Sequence, residues 1–390
     1  MSSSPQNESC ADPLCAHSPC LTELGWDSDW AATLAAVAPA GAPGRVARVD
    51  AGACTLLTAA GSRRVPATRN VLLAVGDWVA CLPGEVAAGS RAGAGDGSRT
   101  GARDGSRAGA LDPGPLVPLP RRTAILRRSA GRDPHPQVLA ANVETIFVLV
   151  ALDGRISPRL IDRYVALSWE SGATPVVVLT KADLVPGDTA ARVMRRMASR
   201  APAVPVHAVS ARTGHNFAAL SDHLRSGKTA ALLGPSGAGK STLINRIVGT
   251  NLATGEMRAD GRGRHTTTYR ELFLLATGGM LVDTPGLREV GLWQADEGVR
   301  RAFEEITRLL GDCRFADCSH TSEPGCALLA ALDDGRVTQD RVASWRKLGR
   351  ELDRISARED PKLQDRLRAE QRRRHRELAQ ARKHWRKPMR

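Results

Sequence analysis

The chain has 390 residues, 42% of them hydrophobic, and a net charge of +14, enough for two or three domains around a sizeable core. No apolar run approaches the ~18 residues of a membrane span, and the N-terminus (Asn7, Glu8, Asp12) has no early Lys or Arg, which argues against a membrane protein and a secretory leader. The eight cysteines form no disulfide framework, and residues 341–390 hold 18 Lys/Arg against 7 Asp/Glu, so a cytoplasmic, monomeric protein with a polyanionic partner, nucleic acid ahead of membrane, is expected.

Residues 1–43 read as a disordered tail and lead-in. Cys10, Cys15 and Cys20, with His17 among them, fit no common metal spacing. From 44 to 128, short β-type runs (45–49, 54–57, 71–75, 77–82, 124–126) separated by turn signals predict a five-stranded OB-type β-barrel. It is interrupted at 83–113 by a low-complexity loop in which Gly-Ser-Arg recurs.

From 129 to 295 long apolar runs alternate with helical patterns. Strands are predicted at 143–152, 175–179, 204–209 and 230–233, with helices at 158–171, 189–200 and 216–224. The alternation predicts a mostly parallel α/β sheet covered on both faces, with ligands at the carboxyl ends of its strands. Two further strands, 271–276 and 280–282, precede a helix at 296–310. A helical zinc-binding domain is expected over 296–349, and a basic helical extension over 350–390.

Gly234-Pro235-Ser236-Gly237-Ala238-Gly239-Lys240-Ser241-Thr242 follows an apolar run and opens a helical pattern, the context that a phosphate-binding loop needs. The glycines let backbone N–H groups face an anion, Lys240 supplies charge for the β- and γ-phosphates, and the Ser241 hydroxyl suits Mg²⁺. Asp283 ends an apolar strand, where a carboxylate reaches the same Mg²⁺, and the Gly286 amide is placed for a γ-phosphate. Thr266, Thr267 and Thr268 offer hydroxyls for a switch closing on the metal, and spacing does not choose among them.

Thr180-Lys181-Ala182-Asp183 sits at another strand end. A carboxylate there can accept from the N1–H and exocyclic amine of guanine, a donor pair that adenine lacks, with the Lys181 stem over the base. Ser210-Ala211, at a third strand end, offers a backbone N–H to guanine O6. GTP with Mg²⁺ is therefore the expected substrate. An ATPase or nucleotide kinase would use the same phosphate loop but leaves Asp183 and Ser210 without a task.

The order is unusual, because the guanine-reading segments precede the phosphate loop. The permuted order, Gly76-Asp77-Trp78-Val79, Ala141-Asn142-Val143, Gly263-Arg264-His265-Thr266-Thr267 and a cysteine cluster together resemble the RsgA (YjeQ) family of small-ribosomal-subunit biogenesis GTPases, from about Gly44 to Gly349. The resemblance implies an OB domain, a circularly permuted GTPase and a zinc domain that dock on the 30S subunit and hydrolyse GTP late in its maturation, with 16S rRNA as the contact. It also implies that Thr180 stands where the family's commonest residue is Asn, weakening a tie between the two nucleotide loops. Leu287 occupies the position where Ras-type enzymes orient water with Gln. Leucine cannot polarise water, so slow intrinsic turnover is expected, with His265 a candidate for positioning the nucleophile. A GTP-regulated RNA-binding module that barely hydrolyses is the alternative.

Cys313, Cys318, His320 and Cys326 place three thiolates and an imidazole within fourteen positions, a donor set and spacing suited to one structural Zn²⁺. The clusters Arg372–Arg376 and Arg382–Lys387, with Trp385, suit phosphate contact with rRNA.

Overall fold

The computed structural model describes residues 19–50, 52–66, 71–83, 114–128, 136–154, 156–249, 270–283 and 295–359. The lead-in contains a helix, α1 (Ser28–Val37), with Asp27 as its N-cap accepting from the Trp30 amide. Strands β1 (Ala42–Asp50), β2 (Ala53–Thr58), β3 (Gly61–Pro66), β4 (Trp78–Cys81) and β5 (Leu116–Pro118) follow. They form an antiparallel ladder ordered β3-β2-β1-β4-β5 around Val46, Cys54, Leu56, Val65, Val79 and Leu116. Among the described residues no β3–β5 pairing closes it into a barrel.

Two strand expectations change here. Residues 71–74 are irregular and Val75 makes only an isolated bridge to Ala140. The third strand is β3, which buries Val65 alone and so carries no apolar alternation to read. The run at 124–126 lies in β6 (Ala124–Arg128), which pairs with β7 (Pro136–Ala141) in a separate two-stranded sheet. Loop residues 84–113 lie outside the described residues.

The main sheet comes from β8 (Thr145–Ala151), β9 (Thr174–Thr180), β10 (Val206–Ala208), β11 (Thr229–Leu233), β12 (Glu271–Leu274) and β13 (Met280–Asp283). Its order is β10-β9-β8-β11-β13-β12, parallel except that β12 runs antiparallel to β13, and it continues into the N-terminal ladder through an antiparallel pairing of β12 with β1 at Glu271 and Arg48. Strand alternation divides the core between two faces. Ile146, Val148 and Val150 join one cluster, while Phe147 and Leu149 join the other with Leu243 and Ile244.

Helix α2 (Pro158–Glu170) starts with proline in its first turn and buries Ile161, Tyr164, Val165 and Ser168, one face at helical spacing. Helix α3 (Gly187–Arg200) follows β9, and α4 (Lys240–Val248) follows β11. The segment Phe217–Leu224 is a 3-10 helix rather than an α-helix, entered through Asn216 in the left-handed region, φ 56°.

The expected helix 296–310 is two, α5 (Asp296–Ala302) and α6 (Glu304–Leu310), broken at Phe303, φ −123°. Helices α7 (Ala327–Asp333) and α8 (Gln339–Glu359) complete the described chain, α8 passing the boundary expected at 349. Helix α5 lies so close on α2 that a Cβ at Gly298 would stand 2.1 Å from the Ala166 carbonyl. Beside this contact, buried Asp162 of α2 accepts from Arg200 Nε (2.8 Å) and Nη2 (2.5 Å), Arg341 Nη1 (2.7 Å) and Ser344 Oγ (2.6 Å). Arg341 also holds Glu305 at 2.6 Å and lies over the Phe303 ring. The C-terminal helices are thus fixed to the sheet through a satisfied ionic network.

The Gly76-Asp77-Trp78 and Asn142-Val143 segments meet at the joint between ladder and sheet. A Cβ on Gly76 would strike the Ala141 carbonyl at 2.1 Å. Asn142 (φ 54°) donates to the Gly76 carbonyl at 3.0 Å and accepts from the Arg122 amide at 2.9 Å. Asp77 holds Arg121 through both oxygens at 2.6 and 2.7 Å.

Candidate nucleotide site and metal centre

The chemistry-bearing loops gather at the carboxyl ends of β8, β9, β10, β11 and β13. Because β11 is central, its following turn faces both the β8–β9 loops and the end of β13. Gly234 is pressed against β8, where a Cβ would meet the Leu149 carbonyl at 2.8 Å. Gly237 and Gly239 take φ of 75° and 86°, which turn the backbone into the nest that precedes α4. Lys240 donates to the Gly234 and Pro235 carbonyls of its own loop at 2.6 and 2.8 Å, partners that a phosphate would replace. Ser241 and Thr242 are exposed at the start of α4.

Asp283 ends β13 and is buried. Burial raises its carboxyl to about 6, with Lys240 opposing and Glu271 reinforcing the rise. Glu271 stands directly across the β12–β13 pair, between Asp283 on one side and Arg48 of β1 on the other, so a second carboxylate shares the cross-strand position of Asp283.

Thr180 Oγ1 donates to the Ala238 carbonyl at 2.7 Å. The tie between the 180–183 turn and the 234–242 loop is therefore present, made by a hydroxyl in place of an amide. Lys181 is left-handed, φ 59°, and its Nζ pairs with Asp153 Oδ2 at 2.9 Å. The Ala182 amide donates to the Val209 carbonyl at 3.1 Å, joining this turn to the Ser210 loop. Asp183 Oδ1 accepts from Ser210 Oγ at 2.6 Å and Oδ2 from Arg212 Nε at 2.9 Å. The Ser210 bond, with Arg212 adding to it, holds this carboxyl below the ordinary range, so it stands ionised as an acceptor.

Asp153 and Arg212 were not found from sequence. Their partners lie 28 and 29 residues away, and nothing local marks a loop charge as paired. Of the expected site residues, His265, Thr266, Thr267, Thr268, Gly286 and Leu287 lie outside the described residues.

A second cluster lies between α6 and α7. The donor atoms of Cys313, Cys318, His320 and Cys326 are all within 4.8 Å of one another. Cys313 Sγ and Cys326 Sγ stand 4.0 Å apart, and His320 Nδ1 is 3.4 and 3.6 Å from them. A tetrahedral centre with metal–sulfur bonds of ~2.3 Å and metal–nitrogen bonds of ~2.0 Å has edges of about 3.8 and 3.5 Å. The spacings fit a four-coordinate metal. The Arg346 guanidinium donates to the His320 carbonyl, bracing this turn from α8.

A glycine nest before α4, a buried strand-end carboxylate and the ionised Asp183, brought to one sheet edge with the Asp183 segment preceding the nest in the chain, have the parts of a P-loop nucleotide hydrolase in permuted order. The profile of the RsgA GTPase family matches residues 118–293. A Streptomyces coelicolor protein named small ribosomal subunit biogenesis GTPase RsgA is 44% identical over 91% of this chain and 92% of its own length. A Streptomyces avermitilis protein of the same name is 43% identical over 89% and 90%. The chain belongs to the RsgA GTPase family. Its fold is like those of YjeQ from Thermotoga maritima (TM-score 0.56, 24% identity, 80% of this chain and 98% of that one) and YloQ, a circularly permuted GTPase (TM-score 0.53, 20% identity, 82% and 96%).

Proposed function

We propose that this GTP hydrolase acts in late maturation of the 30S ribosomal subunit, binds its 16S rRNA, and leaves the subunit when GTP is hydrolysed. The observation that carries the reading is the nucleotide edge itself, in a chain matching biogenesis GTPases over about nine-tenths of its length. Lys240 and the loop 234–242 hold the phosphates, Ser241 and Asp283 hold Mg²⁺, and Thr267 and the Gly286 amide close on the γ-phosphate. Asp183, positioned by Ser210, reads guanine; Lys181, positioned by Asp153, covers the base, and the Ala211 amide meets O6. With Leu287 in the water-orienting position, turnover alone is slow, and His265 positions the nucleophile once the subunit orders the switch.

The metal at Cys313, Cys318, His320 and Cys326 is Zn²⁺, on the ground that three sulfurs and one imidazole in a closed tetrahedron leave no place for substrate. The ladder β1–β5 acts as an OB-type domain and, with the zinc segment and basic extension, grips RNA. No helix among the described residues is long and apolar enough to cross a membrane; a monomer working in the cytoplasm, where the ribosomal subunit matures, is part of the same proposal. Release coupling is tested by cosedimentation with 30S subunits. Retention with a non-hydrolysable GTP analogue and loss with GDP is expected; equal retention with both would remove the coupling.

A further inference from the structure

The opposite end of the sheet has a cavity that the hydrolase reaction does not use. It measures about 510 Å³ and lies between the N-terminal turn, the ladder, and the amino ends of β8, β9 and β11, within the size range of ligand pockets, which favour junctions of this kind. Trp26, Trp30 and Trp78 form one aromatic group on its wall, Trp26 meeting Trp78 edge-on at 4.7 Å.

Its polar groups are unbalanced in one direction. Arg45 is 1% exposed, and the acceptors around it are all neutral: the carbonyls of Leu24 and Asn142 (the latter at 2.8 Å), the Thr229 hydroxyl at 2.9 Å and the Met280 sulfur at 3.5 Å. Its Nε–H and the Trp78 Nε1–H are buried donors without an acceptor among the described residues. Burial pulls the Arg45 pKa down to about 10 although Glu144 and Asp77 oppose that shift. Asp27 is consumed by Arg122, which it grips through both oxygens at 2.6 and 2.7 Å. Glu144 is occupied by the Thr229 amide at 2.7 Å, and exposed Lys228 stands at the rim. Surplus positive charge and aromatic surface call for a ligand that is flat and anionic.

We propose that this cavity takes one unpaired nucleotide of a single-stranded RNA, its base against Trp26 and its phosphate at Lys228, an inference that rests on the rRNA-binding reading above. A base paired and stacked in a duplex has no free face for the tryptophan, whereas a splayed base in a loop does. The cavity lies at the sheet end away from the nucleotide loops, so RNA and GTP are held together without competing.

The test uses the full chain saturated with GDP and a fluorescein-labelled hexauridylate, read by anisotropy and by tryptophan emission. Saturable binding with quenching is expected. Trp26→Leu and Lys228→Glu each weaken it at least about fivefold and Trp26→Phe keeps it within about twofold, as loss or retention of one stacking contact or one phosphate contact requires. Melting curves of the three variants are compared with the parent to separate binding from folding. Binding without quenching, or with equal affinity in Trp26→Leu and Lys228→Glu, overturns the proposal. Uridine monophosphate quenching more tightly than hexauridylate makes the cavity a free-nucleotide site and overturns the RNA assignment. If hexauridylate fails to bind while 30S cosedimentation persists, the cavity proposal alone is wrong; if both fail, the rRNA reading falls and takes it along.

Discussion

The nucleotide edge and the cysteine cluster both hold polar atoms in fixed positions, by opposite means. At the nucleotide edge the scaffold is the sheet: β8, β9, β11 and β13 are buried almost throughout, and the functional side chains are appended to strand ends. Lys240 rests on two carbonyls of its own loop, and Asp183 on a serine and an arginine. Between residues 311 and 326 every residue but Cys326, at the end of the stretch, is exposed or half-buried. The ligands there are the scaffold. A change at the first region should remove function and leave the fold, whereas a change at the second should cost both.

Metal removal sharpens this contrast most. Structural zinc in isolated peptides carries an apparent ~10–16 kcal/mol of folding energy, so a strong chelator should release one metal per chain and abolish hydrogen-exchange protection from Cys313 through α7. Strands β8 and β11 should keep theirs. Uniform loss across both regions would show that the sheet depends on the metal as well. At the other region, Lys240→Ala should lower GTP turnover by about 10²-fold or more, the size seen when one preorganised charge-stabilising donor is removed. The melting curve should not move; a large drop would mean that the lysine's bonds to Gly234 and Pro235 hold the loop together.

The Asp283 carboxyl gives a pH signature. Its pKa is raised from 3.8 to about 6 in the nucleotide-free chain, so the stability contributed by the protonated form is complete below pH ~4 and is lost as pH rises through ~6. Below pH ~6, Mg²⁺ must displace a proton, and the Mg²⁺ concentration for half-maximal turnover should rise about tenfold per pH unit. Above that pH it should be flat. A profile flat down to pH 5 would show that Asp283 is already ionised. The smallest effect belongs to Thr180→Val, which deletes the hydroxyl donated to the Ala238 carbonyl. A net hydrogen bond of ~1 kcal/mol predicts GDP binding about fivefold weaker by calorimetry. Thr180→Asn should restore it, and failure to do so would mean that only a hydroxyl reaches Ala238 here.

What could be read in the sequence follows the same division. The apolar runs of β8 and β9 fill seven-residue strands and those of β11 and β13 are shorter, but all are mostly aliphatic or β-branched and lead into turn residues, so the parallel sheet and the loops at its carboxyl ends were legible. The phosphate loop and the cysteine spacing carry their chemistry in local patterns. Strand β3, with one buried side chain, gave no period, and the break at Phe303 arises where a buried ring meets Arg341 from α8. Asp162 stands beside Ile161 in an apolar helical stripe, a carboxylate among buried positions. Its arginine partners lie 38 and 179 residues on, beyond any local pattern. Gly76, Asp77 and Asn142 carried the family resemblance, yet their work is to join ladder and sheet.

The central claim, a hydrolase triggered by the small subunit, is tested most directly by GTP turnover of the purified chain alone, with 30S subunits and with 50S subunits, each beside Lys240→Ala. A slow rate alone, strong stimulation by 30S only, and loss of that stimulation in the variant are the predicted result. Equal slow rates in all three mixtures would contradict it and leave a guanine-nucleotide-controlled binding module in its place.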